Sequence, residues 1–153
     1  MPLNRLEIAK RIAKEHENLN KQMAKIKSAI MQEVTSENFS DWRLDFIWQL
    51  RDFNNELLKH FDLEEEGGFM AEVLKVAPHT EHKVQALKDE HKKIIADVDK
   101  LLAELKSVSE KNAEKMSHIR TSINEIIMVL HSHESAENQL MQKAYYREYG
   151  GPA

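Results

Sequence analysis

Cysteine is absent from this chain, which excludes a disulfide framework, iron–sulfur ligation and a thiolate zinc site. Any metal would have to be held by histidine and carboxylate side chains. Glycine and proline are scarce, with four and three copies among 153 residues, and they fall near the ends or in one central loop. Long uninterrupted helices are therefore the default expectation. No run of about 18 apolar residues occurs, so the sequence offers no membrane-spanning segment. A basic stripe is also missing, and the net charge of −4 argues against a nucleic-acid partner. The opening residues Met1-Pro2-Leu3-Asn4-Arg5-Leu6 lack an apolar signal core, so a cytoplasmic location is expected. No nucleophile triad, phosphate loop or nucleotide fingerprint is visible.

What is present is amphipathic periodicity. Hydrophobic residues make up 41% and charged residues 31%, and the length suits a single domain spanning residues 1–153. The first helix is expected from a cap at Asn4, with Glu7 as its capping-box partner, and carries the stripe Ile12, His16, Leu19, Met23, Ile26 and Ile30. A turn cluster follows at Thr35-Ser36-Glu37-Asn38, and Ser40 or Asp41 is expected to cap the second helix. Gly67-Gly68 interrupts that helix, and Phe69 to Ala77 reads equally as a helical turn or a packed loop. Pro78 and Thr80 open the third long helix, with Val84, Leu87, His91, Ile94, Val98, Leu102 and Leu105 on one face. The fourth runs from about Asn112 to Tyr145-Tyr146, and the glycine-containing tail at 150–153 is expected to fray. Four long helices with short connections predict an all-α, antiparallel up-down-up-down four-helix bundle.

Histidine, by contrast, is plentiful, with eight copies. Leu57, Phe53, Leu50 and Phe46 lie three, seven, ten and fourteen positions before His60, so His60 and Glu64 close an apolar stripe. Leu130, Ile126, Ile123 and Ile119 stand in the same relation to His133, which with Glu137 closes a second one. A histidine and a glutamate aimed into a core are costly unless something satisfies them. The levels agree as well. His16 and His60 lie about 22 residues either side of the first turn, which is roughly 33 Å along each helix. His91 and His133 lie about 21 residues either side of the third turn, roughly 32 Å. Glu15-His16 is answered by Glu90-His91, 75 residues later, and His60 with Glu64 by His133 with Glu137, 73 residues later. The expectation is one buried layer of His16, His60, His91, His133, Glu64 and Glu137. That is a ligand set for two metals, with carboxylates able to bridge. An oxygen and nitrogen set without sulfur suits iron, and also manganese or zinc.

These residues resemble the hemerythrin-like family, the His-His-Glu cation-binding domains. The resemblance rests on Glu15-His16, on the string His60-Phe61-Asp62-Leu63-Glu64-Glu65, on Asp89-Glu90-His91-Lys92-Lys93, and on His133 with Glu137. It covers nearly the whole chain. It implies a four-helix bundle around two iron ions, with bridging carboxylates and an oxo or hydroxo bridge. Oxygen-carrying members have a second histidine one turn from the first on the third helix, where this chain has Leu87 and Ile95. Their last carboxylate is an aspartate five residues after the final histidine, where this chain has Glu137 four after. Four histidines and two glutamates look more like the di-iron domain of proteins that repair iron–sulfur clusters after nitrosative stress.

Around the six, Glu56 lies one turn before His60 and Glu90 adjoins His91, so either is a candidate hydrogen-bond acceptor, proton relay or iron-path residue beside the site. A solvated helix position is an equal reading for Glu56 and the favoured one for Glu90 and Glu15, and Glu65 is expected in solvent. His131, about 200° round the helix from His133, and His82 should face away. His79 and His118 receive no role. Trp42, Trp48, Tyr145 and Tyr146 are expected to pack, and Met23, Met128 and Met141 to fill the core. Three functional readings stand at this point. The first is a di-iron protein binding or sensing O2, NO or peroxide. The second is a di-iron enzyme or iron donor in oxidative or nitrosative stress repair. The third is a metal-free helical adaptor. No protein partner is specified.

Overall fold

The computed structural model describes residues 5–146, which are helical throughout apart from short connections, with no strand among them. The long helices are α1 (Arg5–Met31), α2 (Phe39–Glu65), α4 (Glu81–Ser107) and α5 (Ala113–Met141). Between α2 and α4 lie the short helix α3 (Phe69–Val76) and a 3₁₀ turn at Pro78–Thr80, and a π turn at Gln142–Tyr146 extends α5. None of the helices among the described residues is long and apolar enough to cross a membrane. The expected cap at Asn4, the tail at 150–153 and the side chains of Tyr145 and Tyr146 lie outside the described residues.

Each long helix buries the stripe that its sequence spacing defines. In α2 the stripe is Phe46, Leu50, Phe53 and Leu57, ending on His60 and Glu64. In α5 it is Ile119, Ile123, Ile126 and Leu130, ending on His133 and Glu137. Each fully buried Phe or Leu contributes roughly 1.5–3 kcal/mol relative to exposure, which outweighs modest helix propensity. α1 packs against α2 and α5, and α4 packs against the same two. Three side chains close the end away from the histidines by donating to carbonyls at helix ends. Trp42 Nε1 donates to Ala29 O at 2.9 Å, Arg43 Nη1 to Val108 O at 2.9 Å, and Arg120 Nε to Ile30 O at 3.2 Å. They tie the end of α1 to the starts of α2 and α5, and the start of α2 to the end of α4.

The apolar core falls into two clusters. One, including Phe46, Phe53, Val98 and Ile123, fills the longer part of the bundle. The other gathers Ile12, Val84, Leu87 and Leu140 with Phe69, Met70 and Val73 of α3. The stretch left open between helical turn and loop is thus a helix, because these three apolar side chains plug the second cluster. Asn38, not Ser40 or Asp41, occupies the position before α2, and its Oδ1 accepts from Thr35 N at 2.7 Å instead of capping the helix. Asn112 does cap α5, accepting from Lys115 N at 3.0 Å. Two expected packing residues are outside the core: Trp48 is 55% and Met128 71% exposed.

The join from α2 to α3 depends on glycine at two points. Gly68 has φ of 101°, a left-handed conformation that side chains disfavour. At Gly67 a Cβ would stand 2.2 Å from Leu63 O, a clash with backbone that no rotamer relieves. Gly67→Ala is therefore expected to destabilise the fold by more than about 1 kcal/mol. Urea unfolding followed by circular dichroism measures this, and an unchanged midpoint would contradict so close an approach.

Candidate metal centre

Between the two apolar clusters lies a polar layer. α1 brings His16 to it, α2 His60 and Glu64, α4 His91, and α5 His133 and Glu137. All six are buried, with both glutamates at 0% exposure. Their inward atoms converge. His60 Nε2 and His91 Nε2 each lie 3.3 Å from Glu64 Oε1. His16 Nε2 is 3.3 Å from Glu137 Oε1 and His133 Nε2 is 3.5 Å from Glu137 Oε2. Two overlapping groups result, His16-His60-Glu64-Glu137 and Glu64-His91-His133-Glu137, in each of which the ligand atoms all lie within 4.8 Å of one another.

The donor set fits a metal. Both oxygens of Glu64, both of Glu137, and Nε2 of His91 and of His133 are buried without a hydrogen-bond partner. A polar atom stripped of water and left unpaired costs roughly 1–3 kcal/mol, more when charged. Six such atoms pointing at one another form a set that a bound cation satisfies together. These buried groups can hold a metal ion.

Electrostatics sort the histidines into two kinds. Burial pushes the His60 imidazole down to about 3, helped by repulsion from His16, His91 and His133. Burial also takes His91 down to about 4 against the pull of Glu65, and lowers His133 against the pull of Glu90. His16 moves the other way. Burial would lower it, but the Glu137 carboxylate 3.3 Å away prevails, with Glu134 and the Asn138 side chain adding to it. Glu137 itself is raised by burial, opposed by His16. Phe61 closes the layer on one side, stacked on the His91 ring with centroids 3.9 Å apart.

The outer nitrogens are also held. His60 Nδ1 donates to Glu15 Oε1 at 2.8 Å, His91 Nδ1 to Glu65 Oε2 at 2.9 Å, and His133 Nδ1 to Glu90 Oε1 at 2.5 Å. Glu90 therefore stands beside the site, but against His133 rather than its sequence neighbour His91. Glu15 and Glu65, expected in solvent, are half-buried partners of His60 and His91. Glu56 is exposed, 3.7 Å from Lys59. His79, His82, His118 and His131 are exposed. Sequence reasoning missed Glu15 and Glu65, although a signal was present: each adjoins one of the six and reaches across to the histidine of the next helix. Comparison with protein-family models, curated proteins and solved structures finds no match for this chain.

In the metal-free chain at about pH 5.5, the His60 ring is expected to be neutral while His16 is protonated, whereas two surface histidines would both be protonated. Ring-nitrogen NMR shifts report this directly. A His60 midpoint near 6.5 would mean that water enters the layer.

Proposed function

We propose that this chain is a hemerythrin-like, antiparallel up-down-up-down bundle that holds two iron ions and binds or senses O2, NO or peroxide. One observation carries the reading: Glu64 and Glu137 belong to both buried groups, so two carboxylates can serve two metals at once. The bonds tying the end of α1 to the start of α2, and the start of α2 to the end of α4, support the antiparallel order. The nitrogen and oxygen set suits iron, with manganese and zinc as the other metals it accommodates.

Bound iron would supply electrons and exchangeable coordination positions for a diatomic or peroxide ligand. The chain supplies the rest. Glu64 and Glu137 offset the positive charge, and the four imidazoles fix the positions around it. Glu15, Glu65 and Glu90 hold three of those rings in orientation and raise their basicity. The apolar clusters above and below exclude bulk water, which strengthens every interaction inside. A cytoplasmic location agrees with this role.

The second reading, an enzyme or iron donor in oxidative or nitrosative stress repair, draws support from a groove between α4 and α5. It is lined by Glu90, Asp97, Glu104 and Glu125, with Lys93, Lys100 and apolar side chains between them, and its Glu90 end touches His133. Multiple turnovers with an added reductant would favour that reading, and slow, stable ligand binding the first.

Two results test the proposal. Iron-loaded protein is expected to show near-ultraviolet and visible charge-transfer bands that change on adding O2, NO or peroxide. A featureless spectrum, indifferent to all three, counts against it. Glu64→Ala is expected to reduce bound iron by at least half, because Glu64 serves both groups. Full iron retention in that variant would rule out the bridging role.

A further inference from the structure

The supports behind the histidines form an open ring. Glu15 of α1 holds His60 of α2, Glu65 of α2 holds His91 of α4, and Glu90 of α4 holds His133 of α5. The ring is broken between α5 and α1: among the described residues no carboxylate holds the outer nitrogen of His16, whose contacts run through Nε2. Three rings are backed by carboxylates and the fourth is not.

That difference decides where the ring hydrogens sit. An ionised carboxylate only accepts, so His60, His91 and His133 each carry their hydrogen on Nδ1 and present a bare Nε2 to the layer. His16 Nε2 and His60 Nε2 are 3.0 Å apart, a contact that requires one hydrogen between them. Since His60 Nε2 is bare, the hydrogen belongs to His16. Three rings thus face the centre ready to ligate, and the fourth faces it with an N–H.

We infer that the two halves of the centre are unequal and load in order: the group Glu64-His91-His133-Glu137 takes its metal first and tightest, and the group containing His16 and His60 takes the second. This rests on the metal-binding reading above. In the first group both histidines are carboxylate-backed, and such outer partners are worth 10–100-fold in metal affinity. In the second, His16 must exchange tautomers, leaving its hydrogen on Nδ1, before Nε2 can ligate. The His16 half is therefore the half that loads last.

The test is a Zn(II) titration of the metal-free full chain, labelled with nitrogen-15 in histidine, at mildly alkaline pH. Before metal, His60, His91 and His133 are expected as Nδ1–H tautomers and His16 as the Nε2–H tautomer. The first equivalent should shift Nε2 of His91 and His133, and the second that of His16 and His60. Glu90→Gln should weaken the first step 10–100-fold with unchanged helicity. If two equivalents bind with all four rings shifting together, or with His16 and His60 first, the ordering is overturned while the two-metal reading survives. If no ring responds, both are overturned.

Discussion

Four imidazoles and two carboxylates are removed from water at one level of this bundle, and the rest of the fold has to make that tolerable. An ionised carboxylate in an apolar interior is among the costliest groups a protein can bury, and a half-satisfied polar network is worse than an apolar core. Glu64 and Glu137 are fully buried, and all four of their oxygens lack hydrogen-bond partners. The chain commits extensive apolar packing on both sides of the layer to hold them there. It also uses three more carboxylates, from the half-buried rim, to fix the rings that surround them. Such investment in negative charge at the centre of a helical protein is understood most simply as provision for cations.

Much of this was legible in the sequence because one helix obeys one period. A spacing of 3.6 residues per turn places His60 and Glu64 on the face of Phe53 and Leu57, and the short connections bring His16, His60, His91 and His133 to one level. The structure brings these side chains together. What single-helix periodicity does not see is the neighbouring helix. Glu15 and Glu65 are each about 100° off the inward line of their own helix, which reads as solvent until a second helix stands there with a histidine. Glu56 illustrates the opposite case. It and Glu64 flank His60 at about 40° on either side, so turning Glu64 fully inward turns Glu56 out to Lys59. Trp48 and Met128, each two positions after a buried residue, follow the same geometry and face outward. For Phe69 to Val76 the difficulty was length: eight residues are too few for a period to show, and the outcome was set by the second core cluster that Phe69, Met70 and Val73 complete.

The same layer links structure to chemistry. Glu64 and Glu137 belong to both buried groups, so a change in one group is felt in the other. His16 lacks the carboxylate that backs the other three rings, which gives a symmetric pair of hairpins an asymmetric layer.

The most direct measurement is the iron content of the chain after anaerobic loading and exhaustive dialysis, by elemental analysis, with the unfolding temperature recorded alongside. The account predicts about two irons per chain and a higher unfolding temperature than the metal-free form, since ligation satisfies atoms that are otherwise unpaired. A chain that retains no iron, manganese or zinc and unfolds at the same temperature with or without them would contradict it. The buried layer would then be a structural polar core and not a metal centre.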